Sequence, residues 1–238
     1  LITVSIMSFL TAFMGSGMNI ALPRIGLELA IDALLLSWLV TAYSLAAAVF
    51  LMPFGKLSDI YGRKRIFLVG TALYVVSSLL CALVSSGGAL LIARIIQGIS
   101  GAMLFATSTA ILTSVYPPQE RGKALGINTA TVYTGLSVGP FLGGFLISLL
   151  GWRSIFWTSV PLGLVTLLYS MRQMKGEWAG SPGEPFDLRG SATYGLAVVA
   201  LMMGFSRLPA LQGVWLILGG LIVGAGFLWQ ETHTKYPI

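Results

Sequence analysis

The chain has 238 residues, of which 56% are hydrophobic and only 9% charged, with a formal net charge of +6 and one cysteine. Soluble domains carry roughly 25% charged residues, so 14 basic and 8 acidic side chains are too few to coat a globule of this size. These values exclude an ordinary soluble domain. The lone Cys81 excludes an internal disulfide framework, and the lone His233 leaves no basis for a histidine-rich metal or catalytic centre.

A helix needs about 20 apolar residues to cross a bilayer, and this chain repeats such stretches almost end to end, with a mean hydropathy of +0.88. The apolar segments run Leu1–Leu22, Leu34–Pro53, Ile66–Val84, Ala89–Val115, Ala124–Leu150, Ile155–Met171, Ser191–Leu208 and Val214–Trp229. The fold expected is an all-α polytopic membrane protein. The first segment lacks the basic start and small-residue cleavage site of a signal peptide, so it reads as a membrane helix. Because the chain opens at Leu1 rather than Met, a few preceding residues are expected.

Lys and Arg in alternate loops are unequal. One set holds ten: Lys56, Arg63, Lys64, Arg65, Arg121, Lys123, Arg172, Lys175, Arg189 and Lys235. The other holds Arg24, Arg153 and Arg207, and the fourteenth basic residue, Arg94, lies inside a segment. Basic loops stay in the cytoplasm, so both termini are expected inside. This loop distribution also argues against a nucleic-acid partner. Trp38, Trp152 and Trp215 fall at outer ends and Trp229 at an inner one, either as interfacial anchors or as plain lipid-facing bulk. The polar stretch Arg172–Arg189, with three glycines and two prolines, reads as a flexible cytoplasmic linker. The expected divisions are a six-helix domain over 1–171, the linker over 172–189, and two additional membrane helices over 190–238.

A repeat is also visible. Gly55–Phe67 lies over Gly144–Phe156 without a gap, sharing Gly, Leu, Gly, Ile and Phe, with a basic residue just after the second glycine of each. The two windows fall at opposite membrane faces. Inverted three-helix units produce this pattern, and a composition rich in these residue types also contributes to the match.

Four windows carry chemistry. Gly55-x-Leu57-x-Asp59-x-x-Gly62-Arg63-Lys64-Arg65 joins two membrane helices. Its glycines allow a tight turn, and Asp59 can pair with Arg63 or Lys64 or cap a helix; this reads as a gating latch, or as basic residues that only set topology. Gly135, Gly139 and Gly143 share one helical stripe, followed by Gly144, and Pro140 invites a kink. That helix either rocks against a partner or packs statically. Arg94 is the only charge well inside a segment, where an Arg costs about 2.5–3.5 kcal/mol on insertion scales; Gln97, one turn on, shares its face. Asn19, Tyr43, Asn128 and Tyr133 are further polar residues able to line a cavity with them or to make single interhelical hydrogen bonds. No nucleophile with a neighbouring base supports an enzyme.

The Gly55–Arg65 window resembles the signature of the major facilitator superfamily. Leu90–Ala102 is similar to that superfamily's fourth-helix motif and Gly135–Gly144 to its fifth-helix antiporter motif. Asn19-Ile20-Ala21-Leu22-Pro23 resembles the end of the first-helix motif of the 14-helix drug:proton antiporter branch. The resemblance implies an N-terminal six-helix half plus two linker helices of a secondary transporter, an efflux antiporter working by alternating access on a small molecule and protons in the lipid bilayer. It implies no cofactor, and it leads to the expectation of a second six-helix domain after Ile238, from the same gene or another copy. One departure stands out. Where that branch carries a first-helix Asp, this chain has Met14, and its eight acidic residues all lie in loops or at helix ends. Cationic-drug extrusion by the usual route is therefore in question. A positive potential at Arg94 instead favours an anionic or polar substrate, carried by a facilitator or symporter, unless the second domain supplies a carboxylate. A non-transporting scaffold half is the remaining alternative.

Overall fold

The computed structural model describes residues 1–238 and consists of eight helices without strands. They are α1 (Ile2–Leu29), α2 (Ala33–Tyr61), α3 (Arg63–Leu83), α4 (Gly87–Val115), α5 (Pro118–Leu150), α6 (Arg153–Gln173), α7 (Leu188–Ser206) and α8 (Leu211–His233). Each is long and apolar enough to cross a membrane. In hydrocarbon every backbone polar group must be satisfied within its own segment, which leaves the helix as the economical solution.

Most helices overrun the apolar segments. α1 continues through Pro23 to Leu29, and α2 continues through Pro53 to Tyr61. Membrane helices tolerate an internal proline because neighbouring groups answer the freed carbonyl; Pro140 and Pro161 are likewise interior. Three of the eight starts are capped by side chains that favour helix ends over interiors. Asp32 accepts from Leu35 N at 2.8 Å, Ser86 from Ala89 N at 3.3 Å, and Asp187 from Gly190 N at 2.8 Å.

Two buried clusters mark the ends of the bundle. Val4 and Met7 of α1 meet Phe67 of α3 and Ile111 and Leu112 of α4 at the end bearing Arg63, the basic end. Ile25 of α1 meets Leu39, Cys81, Leu90, Ile147 and Trp152 at the opposite end. Consecutive helices therefore run antiparallel. α1 packs most extensively on α5, and α2 on α4, while α3 and α6 pack on each other behind them. The α7–α8 hairpin rests on α2, where Tyr194 donates to the Ala48 carbonyl at 3.0 Å.

The glycine stripe faces α1. A Cβ at Gly135 would lie 2.7 Å from the Phe9 carbonyl, one at Gly139 would strike Ser16, and one at Gly143 would lie 3.3 Å from Gly17 Cα. Gly144 sits off that stripe, with only Ile20 near it at 3.8 Å. Pro140 is exposed. The stripe's role is thus close approach of two backbones, the usual device where no hydrophobic force drives helices together.

Trp152 departs from the interfacial-anchor reading. It is 1% exposed, and its indole N–H donates to Glu28 at 2.8 Å. Arg153 beside it pairs with Glu28 and donates to the Val84 carbonyl at 3.1 Å, tying α6 to α1 and α3. Trp215 and Trp229 are exposed, as anchors require.

Candidate functional site

The Gly55–Arg65 window is not a two-glycine turn. Gly55 and Asp59 lie in the last turns of α2, and Gly62 alone makes the corner, with φ of 107°. Only a residue without Cβ adopts that conformation easily, and a Cβ there would also strike Glu177. Across the corner, Asp59 Oδ1 accepts from Arg63 Nη2 at 2.7 Å and Nε at 2.9 Å. Arg63 Nη1 donates to the Ala110 carbonyl at 3.0 Å and to Ser114 Oγ, bolting the α2–α3 corner to the last turns of α4. Arg63 thus touches α2 and α4 from the start of α3, whereas Arg65 points outward with a side chain 75% exposed.

The stretch after α6 does not hang free. It crosses the corner as a strap. Arg63 N donates to the Trp178 carbonyl at 2.8 Å and Ser181 N to the Asp59 carbonyl at 2.9 Å, and Lys56 pairs with Glu184 at 2.8 Å. Glu177 Oε1 accepts from Lys64 N at 2.8 Å and Arg65 N at 3.4 Å. α3 opens with three basic residues, Arg63, Lys64 and Arg65, at the positive end of its dipole. That start needs an anion, and Glu177 supplies it from a distant part of the chain. The unmet need was readable in sequence; the accepting residue was not.

In the first third of α4, toward the end opposite Arg63, Arg94 is 1% exposed and enclosed. Its Nε donates to the Leu39 carbonyl at 3.2 Å and its Nη1 to Gln97 Oε1 at 2.5 Å. Gln97 Nε2 passes the chain on to Ser78 Oγ at 2.9 Å, linking α2, α4 and α3. The guanidinium also stacks 4.3 Å from the centroid of the Tyr43 ring, an arrangement worth about 2 kcal/mol when desolvated. Gly98 and Gly101 make room for Tyr43: a Cβ at Gly98 would strike the Tyr43 carbonyl, and one at Gly101 would lie 3.1 Å from its hydroxyl. Met14 is fully buried in the core cluster that holds Leu39 and Ala93, not on a cavity wall.

A cavity of about 410 Å³ opens on the face shared by α1, α2, α4 and α5. Its wall is Tyr43, Ala47, Ala48 and Leu51 of α2, Ala102 and Phe105 of α4, and Val132 and Leu136 of α5, with hydroxyls from Ser8, Thr11 and Ser44. No charged residue lines it. Of the six residues expected to share a cavity, Tyr43 lines this one, and Asn128 lines a small annex beside it. Arg94 and Gln97 lie behind Tyr43 instead. Asn19 and Tyr133 are exposed, and neither lines the cavity or its annex. Helical spacing alone did not decide which polar face met a neighbour.

The profile of the Major Facilitator Superfamily matches residues 4–229. The chain is 34% identical over 226 residues to the multidrug resistance protein Stp of Mycobacterium tuberculosis, covering 92% of this chain and 42% of that protein. It is 30% identical to the riboflavin transporter RibZ of Clostridioides difficile, covering 87% of this chain and 45% of the relative. It is 29% identical to the tetracenomycin C resistance and export protein of Streptomyces glaucescens, covering 100% and 45%. Among solved structures, the peptide transporter POT in complex with sulfate superposes with a TM-score of 0.69 at 18% identity, over 95% of this chain and 49% of that one. The chain spans about half the length of the curated relatives it matches. A family match across nearly the whole chain and eight membrane-capable helices give one conclusion: this chain is an integral membrane protein and belongs to the major facilitator superfamily.

Proposed function

We propose that this chain forms the N-terminal portion of a secondary active efflux transporter that works by alternating access. The observation that carries the reading is the cavity on the α1, α2, α4 and α5 face, uncovered on one side and closed behind by α3 and α6. In this reading residues 1–171 are the six-helix domain, 172–189 the linker and 190–238 two additional helices. A second six-helix domain, from the same gene or another copy, covers the cavity. The basic end, with both termini, faces the cytoplasm of a prokaryotic plasma membrane.

The six helices divide into two inverted units of three. Exchanging α1 with α4, α2 with α5 and α3 with α6 carries α1–α5 onto α4–α2 and α3–α4 onto α6–α1, and each of these pairs is packed. Gly62 and Gly151, aligned in the sequence repeat, both take positive φ, at 107° and 80°, at matched corners. Arg63 at the start of α3 holds the end of α4, and Arg153 at the start of α6 holds the end of α1. These correspondences support the arrangement common to many secondary transporters.

The cavity wall favours a substrate with an uncharged apolar body. Arg94 lies behind Tyr43 and presents no donor at the cavity surface, so this reading ranks the anionic alternative second. With Met14 in the core, any proton-carrying carboxylate in the membrane belongs to the second domain. The test is efflux of a panel of apolar dyes from proteoliposomes holding the protein as its native gene encodes it, with and without a proton gradient. Expected is gradient-driven dye movement that a bulky Ala47→Trp substitution on the cavity wall stops. Dye movement at the rate of empty liposomes would favour a non-transporting scaffold.

A further inference from the structure

Beside the main cavity lies an annex of about 30 Å³, lined in part by Ser8, Thr11, Ser108, Thr109 and Asn128. The two spaces share Ser8, Thr11, Phe105 and Val132 and are therefore neighbours. The annex is polar where the cavity is apolar. Asn128 is 9% exposed, and its Oδ1 is buried without a hydrogen-bond partner in the protein. Buried side-chain oxygens are rarely left so, and each exception asks for an explanation.

The neighbouring hydroxyls do not answer it. Thr11 Oγ1 donates to the Met7 carbonyl at 3.0 Å, and Ser108 Oγ donates to the Leu104 carbonyl at 2.6 Å. Their hydrogens are committed to the backbone, and their lone pairs remain. Asn128 Oδ1, Thr11 Oγ1 and Ser108 Oγ thus offer acceptors from α5, α1 and α4, and the hydroxyls of Ser8 and Thr109, which also line the annex, do not reach Asn128 Oδ1. No carboxylate lines the annex, so a full positive charge there would be uncompensated by this chain. The volume holds one water-sized group and nothing larger.

We infer that the annex is a subsite for a single uncharged hydrogen-bond donor, a hydroxyl or N–H, on a substrate whose apolar body fills the main cavity. The inference rests on the proposed transport cavity and adds the substrate's chemical class to it: neutral, apolar, with one donor near its edge. Asn128 is the residue that selects it.

The test is equilibrium binding to the native-gene protein in nanodiscs, by energy transfer from tryptophan. The probes are N-phenyl-1-naphthylamine, an apolar body with one N–H, and its N-methyl derivative, which lacks the donor. Expected is a wild-type affinity about tenfold higher for the N–H compound, with the ratio falling to about one in Asn128→Leu and Asn128→Ala. A ratio preserved in both variants, even if both affinities fall together, makes Asn128 structural and overturns the assignment. A wild-type ratio near one means that the annex holds a water only, which overturns the subsite and leaves the cavity reading standing. Binding of neither compound to wild type overturns the cavity reading and the subsite with it.

Discussion

Arg94 shows how one residue's role depends on what encloses it. An intramembrane guanidinium carries five donors in a planar fork, and here the fork meets the Leu39 carbonyl, Gln97 Oε1 and the Tyr43 ring. Lysine keeps the charge but not the plane, whereas glutamine loses both. We expect Arg94→Gln to abolish transport and Arg94→Lys to retain part of it, with expression little changed in either. Normal transport by Arg94→Gln would reduce the residue to packing. Tyr43 divides this charge from the cavity, so Tyr43→Ala should expose it and move selectivity toward anionic dyes. Unchanged selectivity in uptake competition would show that Tyr43 does not screen Arg94.

At the scale of elements, the strap is the feature that local sequence could least reveal. Its composition of glycine and proline reads as a flexible linker, yet Glu177, Trp178, Ser181 and Glu184 each find a partner on the α2–α3 corner. Losing a helix cap costs about 0.5–2 kcal/mol, so Glu177→Ala should loosen the strap severalfold. Trypsin cleavage after Lys175, which is exposed, measures this. We expect roughly fivefold faster cleavage in Glu177→Ala, and equal rates would mean that Glu177 does not hold the strap. The helices themselves were legible because 20 apolar residues in a row admit few other structures. Their ends were not, since Pro53 and Gly55 look like breakers to a reading that ignores the membrane. The corner motif was legible because Asp59 and Arg63 stand four residues apart. The orientations of Asn19, Tyr133 and Trp152 were not, because they follow from which helices become neighbours.

At the scale of the whole molecule, two ends differ in charge and in how they are tied. The basic end is closed by Asp59, Arg63 and the strap, and the opposite end by Glu28, Arg153 and Trp152. Ten of the 14 basic residues lie toward the first end and three toward the second. Lys and Arg near helix ends resist translocation, and their bias sets orientation. An even number of spans then keeps both termini on the basic side. Cys81, the only native cysteine, is fully buried, so it gives little background to a thiol reagent. Arg65 and Ser85 are exposed at opposite ends of α3. We expect Ser85→Cys to be labelled by a membrane-impermeant maleimide on intact cells, and Arg65→Cys only after permeabilisation. Labelling of Arg65→Cys from outside intact cells would invert the orientation and place the strap on the outer surface. In that case the α2–α3 corner and its strap would face away from the cytoplasm, against the proposed arrangement.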